Sequence, residues 1–190
     1  MTTTDAAATS SKPAPGDLVV VQDFINTREL QGEDALSDAG ALERWLLGRR
    51  LLKAKGKATE PDLRHALEVR EALRDLVAAN DGLRVGNHAV DALGRAARSA
   101  QLGVHFRPDG RADLAPAASG VDAALGEMLA IAFRSMIDGS WGRLKICRDD
   151  TCRWAYYDRS KNRSGSWCSM SVCGNRNKAR RFRGQKPRNA

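Results

Sequence analysis

Four cysteines, Cys147, Cys152, Cys168 and Cys173, stand in the last quarter of the chain with the spacing C-x4-C-x15-C-x4-C, and the sequence contains no others. Two close pairs separated by such a segment are the pattern of a four-thiolate metal site. Each pair forms a knuckle supplying two ligands, and the intervening residues fold back to join the knuckles. Tetrahedral zinc takes four sulfurs at about 2.3 Å. A module this small cannot bury enough apolar surface to fold unaided, so the pattern predicts a Zn2+ staple. Two disulfides are an alternative, but they are rare in reducing compartments. An iron–sulfur cluster also takes four thiolates, but the symmetric pairing suits zinc better. Both pairs enclose four residues, which excludes a C-x-x-C redox motif.

Charge divides the chain at about the same place. Of its 31 Lys and Arg, 14 lie from Trp141 onward, against 3 of its 23 Asp and Glu, so that segment carries +11 and residues 1–140 carry −3. One zinc with four thiolates adds −2, leaving the loaded segment strongly positive. Such asymmetry points to a polyanionic partner; the alternative is a basic tail that is merely solvated.

Residues 1–16 are rich in Thr, Ala, Ser and Pro and read as a disordered leader. They lack the basic start and apolar stretch of a signal peptide. No run approaches the eighteen apolar residues of a membrane span, so a cytoplasmic protein with no membrane partner is the expectation. Residues 17–140 read as a mainly α domain with one short β-hairpin. Asp17–Thr27 is a strand or a helix start, undecided by periodicity. Ser37-Asp38 offers an N-cap for a helix carrying Leu42, Trp45 and Leu46. Thr59-Glu60-Pro61-Asp62 starts another, with Leu63, Ala66, Leu67, Leu73, Leu76 and Val77 inward and a stop at Asn80-Asp81-Gly82. A third helix spans about 87–101, with Val90, Leu93 and Ala97 inward. Pro108-Asp109-Gly110 predicts a hairpin turn within 104–114. The last body helix starts near Ser119 with a stripe of Val121, Leu125, Met128, Leu129, Ala132, Phe133 and Met136.

Residues 141–190 read as a small ββα-like module with four cysteine ligands. Arg143 and Lys145 alternate with Leu144 and Ile146 at strand period, and 153–158 gives a second strand. A basic loop at 158–166 carries Arg159, Lys161 and Arg163. Ser169 is a candidate N-cap for a helix ending at Gly184, on which Arg176, Arg180 and Arg183 share a face flanked by Lys178 and Arg181. These eight cations are the candidate nucleic-acid contacts. Like charges at this spacing cost helix stability, so an anionic partner would favour the helix. Engaging about five phosphates would give a salt slope of roughly −4.5. Six of the ten aromatic residues lie here. Base stacking is one use for them, but a core around the metal is the more economical, with Trp154 and Trp167 packed on the site.

Nothing supports an enzyme. Four thiolates leave no open metal position. No H-E-x-x-H, deaminase pattern, phosphate-binding glycine loop or nucleophile elbow is present. His65, His88 and His105 are scattered and read as surface or helix-face residues.

The motifs D-x-S-x-N-R-S (158–164), W-C-S-M (167–170) and C-G-N-R-x-K (173–178) resemble the CGNR zinc-finger family over about 143–183. The likeness departs at Gly165-Ser166, where many relatives carry further arginine. The segments D-F-I-N-T (23–27) and A-L-E-R-W-L (41–46) are similar to the opening of the ABATE domain that often precedes this finger. Together the resemblances imply a bacterial stress-related transcription regulator whose finger binds DNA. The body is then expected to sense a small-molecule effector or to form a homodimer, one finger alone being a small DNA contact. Asn26 and Thr27 are candidates for a ligand pocket, their alternative being a cap or turn. An RNA-binding protein and a protein-interaction adaptor built on a structural zinc are the competing functions.

Overall fold

The computed structural model describes residues 12–30, 32–53 and 56–184. In chain order these form helices α1 (Leu18–Ile25), α2 (Ala39–Gly48), α3 (Glu60–Ala78) and α4 (Asn87–Ser99), strands β1 (Leu102–Phe106) and β2 (Ala112–Pro116), helix α5 (Gly120–Ile137), strands β3 (Leu144–Ile146) and β4 (Ala155–Tyr157), and helix α6 (Asn175–Gly184). Both strand pairs are antiparallel hairpins. The mainly α body with one hairpin and a small ββα module is therefore the architecture. Among the described residues no helix is long and apolar enough to cross a membrane.

Local chemistry sets most boundaries. Asp38 caps α2 by accepting from Ala41 N at 2.7 Å. Thr59 and Asp62 form a reciprocal capping box at the start of α3, with Pro61 in its first turn. The β1–β2 turn places Gly110 at φ +79°, a left-handed conformation that glycine adopts without a Cβ clash. The ambiguous Asp17–Thr27 segment resolves as α1. Its Leu18, Val21, Phe24 and Ile25 are buried at helical spacing, packing on α3 and α5, and this tertiary burial overrides the strand preference of three consecutive valines.

Two predicted faces are corrected. On α4, Ala89, Ala92 and Ala96 face inward and Val90 is exposed. The small side chains let α4 lie close against α3. On α5, Ile131, Ala132 and Ser135 continue the buried face while Phe133 and Met136 are exposed. The stripe drawn from hydrophobicity alone was wider than the neighbouring elements cover. Two charged residues that would ordinarily face solvent are instead inside. Arg70 is bidentate to Asp34 at 2.7 Å and also donates to Thr27 Oγ1. Arg74 pairs with Glu71 and donates to the Ile25 carbonyl. Arg74 thereby satisfies a carbonyl at the open end of α1, and Arg70 ties Thr27, just beyond that end, to Asp34.

The main core does not stop at residue 140. Leu144, Ile146, Ala155 and Tyr157 on one face of the β3–β4 hairpin join Trp141 and the buried residues of α1, α3 and α5 in a single cluster. The register pairs Leu144 with Tyr157 and Ile146 with Ala155, so these four side chains share a face by strand alternation. The other face carries Lys145 and Tyr156. Residues 12–16, grouped by composition with the leader, are in place against this hairpin. Tyr157 N donates to the Lys12 carbonyl at 2.9 Å, and Ala14 is buried. The rest of that segment, 1–11, lies outside the described residues.

Candidate metal centre

The β3–β4 hairpin ends in the first knuckle. Cys147 N donates to the Trp154 carbonyl at 2.9 Å, and Cys152 N to the Asp149 carbonyl at 2.8 Å. The turn leaves Arg153 at φ +48°. The second knuckle begins at Trp167 and passes through a wide π turn, Met170–Gly174, into α6, with Ser169 Oγ accepting from Val172 N. Gly174 lets Met170 and Trp167 close over this turn. A Cβ on it would stand 2.5 Å from Met170 Sδ and 3.3 Å from Trp167 Cδ1.

These turns bring the four Sγ atoms within 4.8 Å of one another. Cys152 and Cys173 each stand 3.7 Å from Cys168. A tetrahedron with zinc–sulfur bonds of about 2.3 Å has an edge of roughly 3.8 Å, whereas a disulfide requires about 2.05 Å. All four cysteines are free thiols, and the set fits a zinc ion. Trp154, Trp167 and Tyr156 pack around them. Thiol hydrogen bonds from Cys152 and Cys168, together with the N–H groups of Cys168 and Asp149, pull the Cys147 thiol down to about 2. Its bond to Cys147 pushes Cys152 up to about 12. A divalent cation at the centre would invert this competition and ionise every ligand. When bound, zinc supplies cross-linking of the two knuckles.

The comparisons with known proteins fall on this architecture. Residues 6–139 match the family described as "Putative stress-induced transcription regulator", ABATE, and residues 143–186 match the CGNR zinc finger. The chain belongs to the ABATE family. Its C-terminal module is a CGNR zinc finger, and the clustered thiols are the finger's zinc site. None of the curated proteins matches the chain.

The finger's motif residues have visible jobs. Asp158 is buried. Its Oδ1 accepts from Ser160 N at 2.9 Å, and its Oδ2 accepts from Gly165 N at 2.8 Å. Burial alone would raise its pKa, but these hydrogen bonds and Lys145 hold it below the usual carboxylate value. A Cβ at residue 165 would fall 2.9 Å from the Asp158 carboxylate. A glycine at 165 thus suits the close approach to Asp158. Lys145, placed outward by strand alternation, is instead buried. The 158–165 loop folds over the outer face of the hairpin, and the ammonium meets Asp81 at 3.0 Å, Asp158 at 3.5 Å and the Arg163 carbonyl at 2.5 Å. Asp81 belongs to the ABATE body, so this buried ion cluster also joins body to finger.

The eight candidate nucleic-acid residues are divided. Lys161, Arg163, Lys178, Arg181 and Arg183 are exposed. Arg159 is exposed but leans over the Tyr157 ring and donates to the Pro13 carbonyl at 3.0 Å. Arg176 and Arg180 turn inward to Asp149, whose side chain is fully buried. Spacing alone groups them with Arg183, and only the tertiary contact separates them.

Asn26 and Thr27 are occupied internally. Asn26 mimics a strand partner for β4: its Nδ2 donates to the Ala155 carbonyl and its Oδ1 accepts from Ala155 N, both at 2.8 Å. Thr27 Oγ1 donates to the Phe24 carbonyl and accepts from Arg70. A cavity of about 630 Å³ opens elsewhere, beside Cys147, with Arg148, Arg153, Asp81 and Leu83 among its lining. Asp149, Thr151 and Lys145 carry no motif signal that sequence reasoning could use. Their partners are distant in the chain or unremarkable in composition.

Proposed function

We propose that this protein is a DNA-binding transcription regulator in which one structural Zn2+ holds a noncatalytic finger. The observation that carries the reading is α6. It has five Lys and Arg in ten residues and no acidic residue in its first turn. It is also tied directly to a zinc ligand through Cys173. Such a helix is a poor independent structure and a good phosphate-binding one. The exposed Lys161, Arg163, Lys178, Arg181 and Arg183 supply about five phosphate contacts, for a slope of log affinity against log salt of roughly −4.5.

The alternative is RNA binding, in which the same exposed cations would meet the phosphates of a single strand. Fluorescence anisotropy of the zinc-loaded full chain, with duplex DNA and single-stranded RNA titrated at the same series of salt concentrations, separates the readings. Tighter binding to duplex with a steep salt slope supports the regulator. Preference for single-stranded RNA supports the alternative. Absence of salt-dependent binding to either refutes both and leaves an adaptor.

A further inference from the structure

We propose that Arg176 and Arg180 are positioning residues that aim the zinc finger's helix, while Lys178 and Arg181 on its other flank meet the polyanion. This rests on the DNA-binding reading above and assigns each side of α6 its task. Asp149 lies between the two cysteines of the first knuckle, and α6 follows directly from the second. Arg180 Nη2 reaches Asp149 Oδ1 at 2.9 Å, and Arg176 Nη1 stands 3.6 Å from Oδ2. Thr151 Oγ1 donates to Asp149 Oδ1 at 2.7 Å and accepts from Arg176 at 3.0 Å and Arg180 at 3.3 Å. Two arginines one helical turn apart thus converge on one carboxylate and its hydroxyl. That carboxylate is wholly buried.

The consequence is geometric. The π turn that leads into α6 contains Cys173, which fixes the position of the helix start. A single anchor leaves the helix free to rotate about it. The arginines provide a second anchor, one and two turns along, on the opposite knuckle. At about 100° per residue, Lys178 lies roughly opposite the clamped pair and Arg181 well to one side, and both are exposed. Asp149 also sits on the metal side of the link, because its carbonyl accepts from the N–H of the ligand Cys152 at 2.8 Å.

The two roles predict opposite responses to one isosteric change. In the zinc-loaded full chain, Asp149→Asn removes the charge that holds both arginines. If they are positioning residues, duplex affinity falls with the salt slope unchanged. If they are phosphate contacts sequestered by Asp149, releasing them strengthens binding and steepens the slope, which overturns the proposal. Lys178→Ala with Arg181→Ala provides the complement: the slope should flatten by about 1.8, two contacts at roughly 0.9 each. An unchanged slope in that double variant also overturns it.

Hydrogen exchange without DNA keeps the clamp testable if DNA binding itself fails. Amides of α6 should exchange faster in Asp149→Asn than in the unsubstituted protein. Equal exchange refutes the clamp. The cobalt-substituted spectrum should keep its tetrahedral thiolate bands in every variant. Their loss in Asp149→Asn would mean that the carboxylate maintains the metal site rather than the helix, which also refutes the clamp.

Discussion

Replacing Asn26 by alanine tests whether the body and the finger are one folding unit. The Asn26 side chain saturates the outward edge of β4, donating to the Ala155 carbonyl and accepting from its N–H, both at 2.8 Å. Ala155 is fully buried. After truncation the N–H loses its acceptor, costing about 1–3 kcal/mol. The carbonyl keeps Gln22 Nε2 at 3.1 Å, so its loss is on the order of 0.5–1 kcal/mol. The sum is about 1.5–4 kcal/mol, equivalent to roughly 3–16 °C in a chain of this size. Urea unfolding of the zinc-saturated protein measures it. Trp141 in the shared core and Trp154 and Trp167 at the cysteines should report one common transition, with a lower midpoint and an unchanged urea dependence. A loss below about 0.5 kcal/mol would refute the strand-edge role and return Asn26 to the candidate ligand residues.

Lys145→Met should destabilise the chain by about 3–5 kcal/mol, because it leaves the buried Asp158 carboxylate without its cation and Asp81 with only the exposed Arg148 at 3.6 Å; calorimetry of the zinc-loaded protein checks this. Cys168→Ser should lose the metal and the helicity of α6 and, because the β3–β4 hairpin belongs to the main core, also weaken the packing of α1–α5, since metal binding contributes on the order of 10 kcal/mol to such modules. Zinc content and far-UV circular dichroism measure both, and retained zinc would contradict the site. Acid should unfold the protein through Asp34, Glu71 and Asp158. Burial would raise these pKa values, but hydrogen bonds and neighbouring cations hold them below the ordinary 3.8 for Asp and 4.5 for Glu. Their stabilisation is therefore full above those unfolded values and is lost as pH falls through the lower folded ones, below about pH 4. In Asp34→Asn the acid transition should become shallower.

The sequence by itself determined whatever depends on neighbours a few residues apart. The capping box at Thr59 and Asp62, the turn at Gly110, the paired cysteines and the concentration of cations after Trp141 all act over short spans, so their spacing carries their meaning. Tertiary structure decided what each polar side chain meets. Strand alternation sent Lys145 outward, yet a loop closing over the hairpin buries it beside Asp81, 64 residues earlier. Helical spacing gave Arg176, Arg180 and Arg183 one face, yet the first knuckle brings Asp149 against only the first two. Asn26 meets Ala155 across 129 residues. Periodicity states which side of an element a residue occupies. Whether that side meets water, a carboxylate or another backbone is set by long-range packing, and that packing divides the finger's cations into those that hold the helix and those that remain outside.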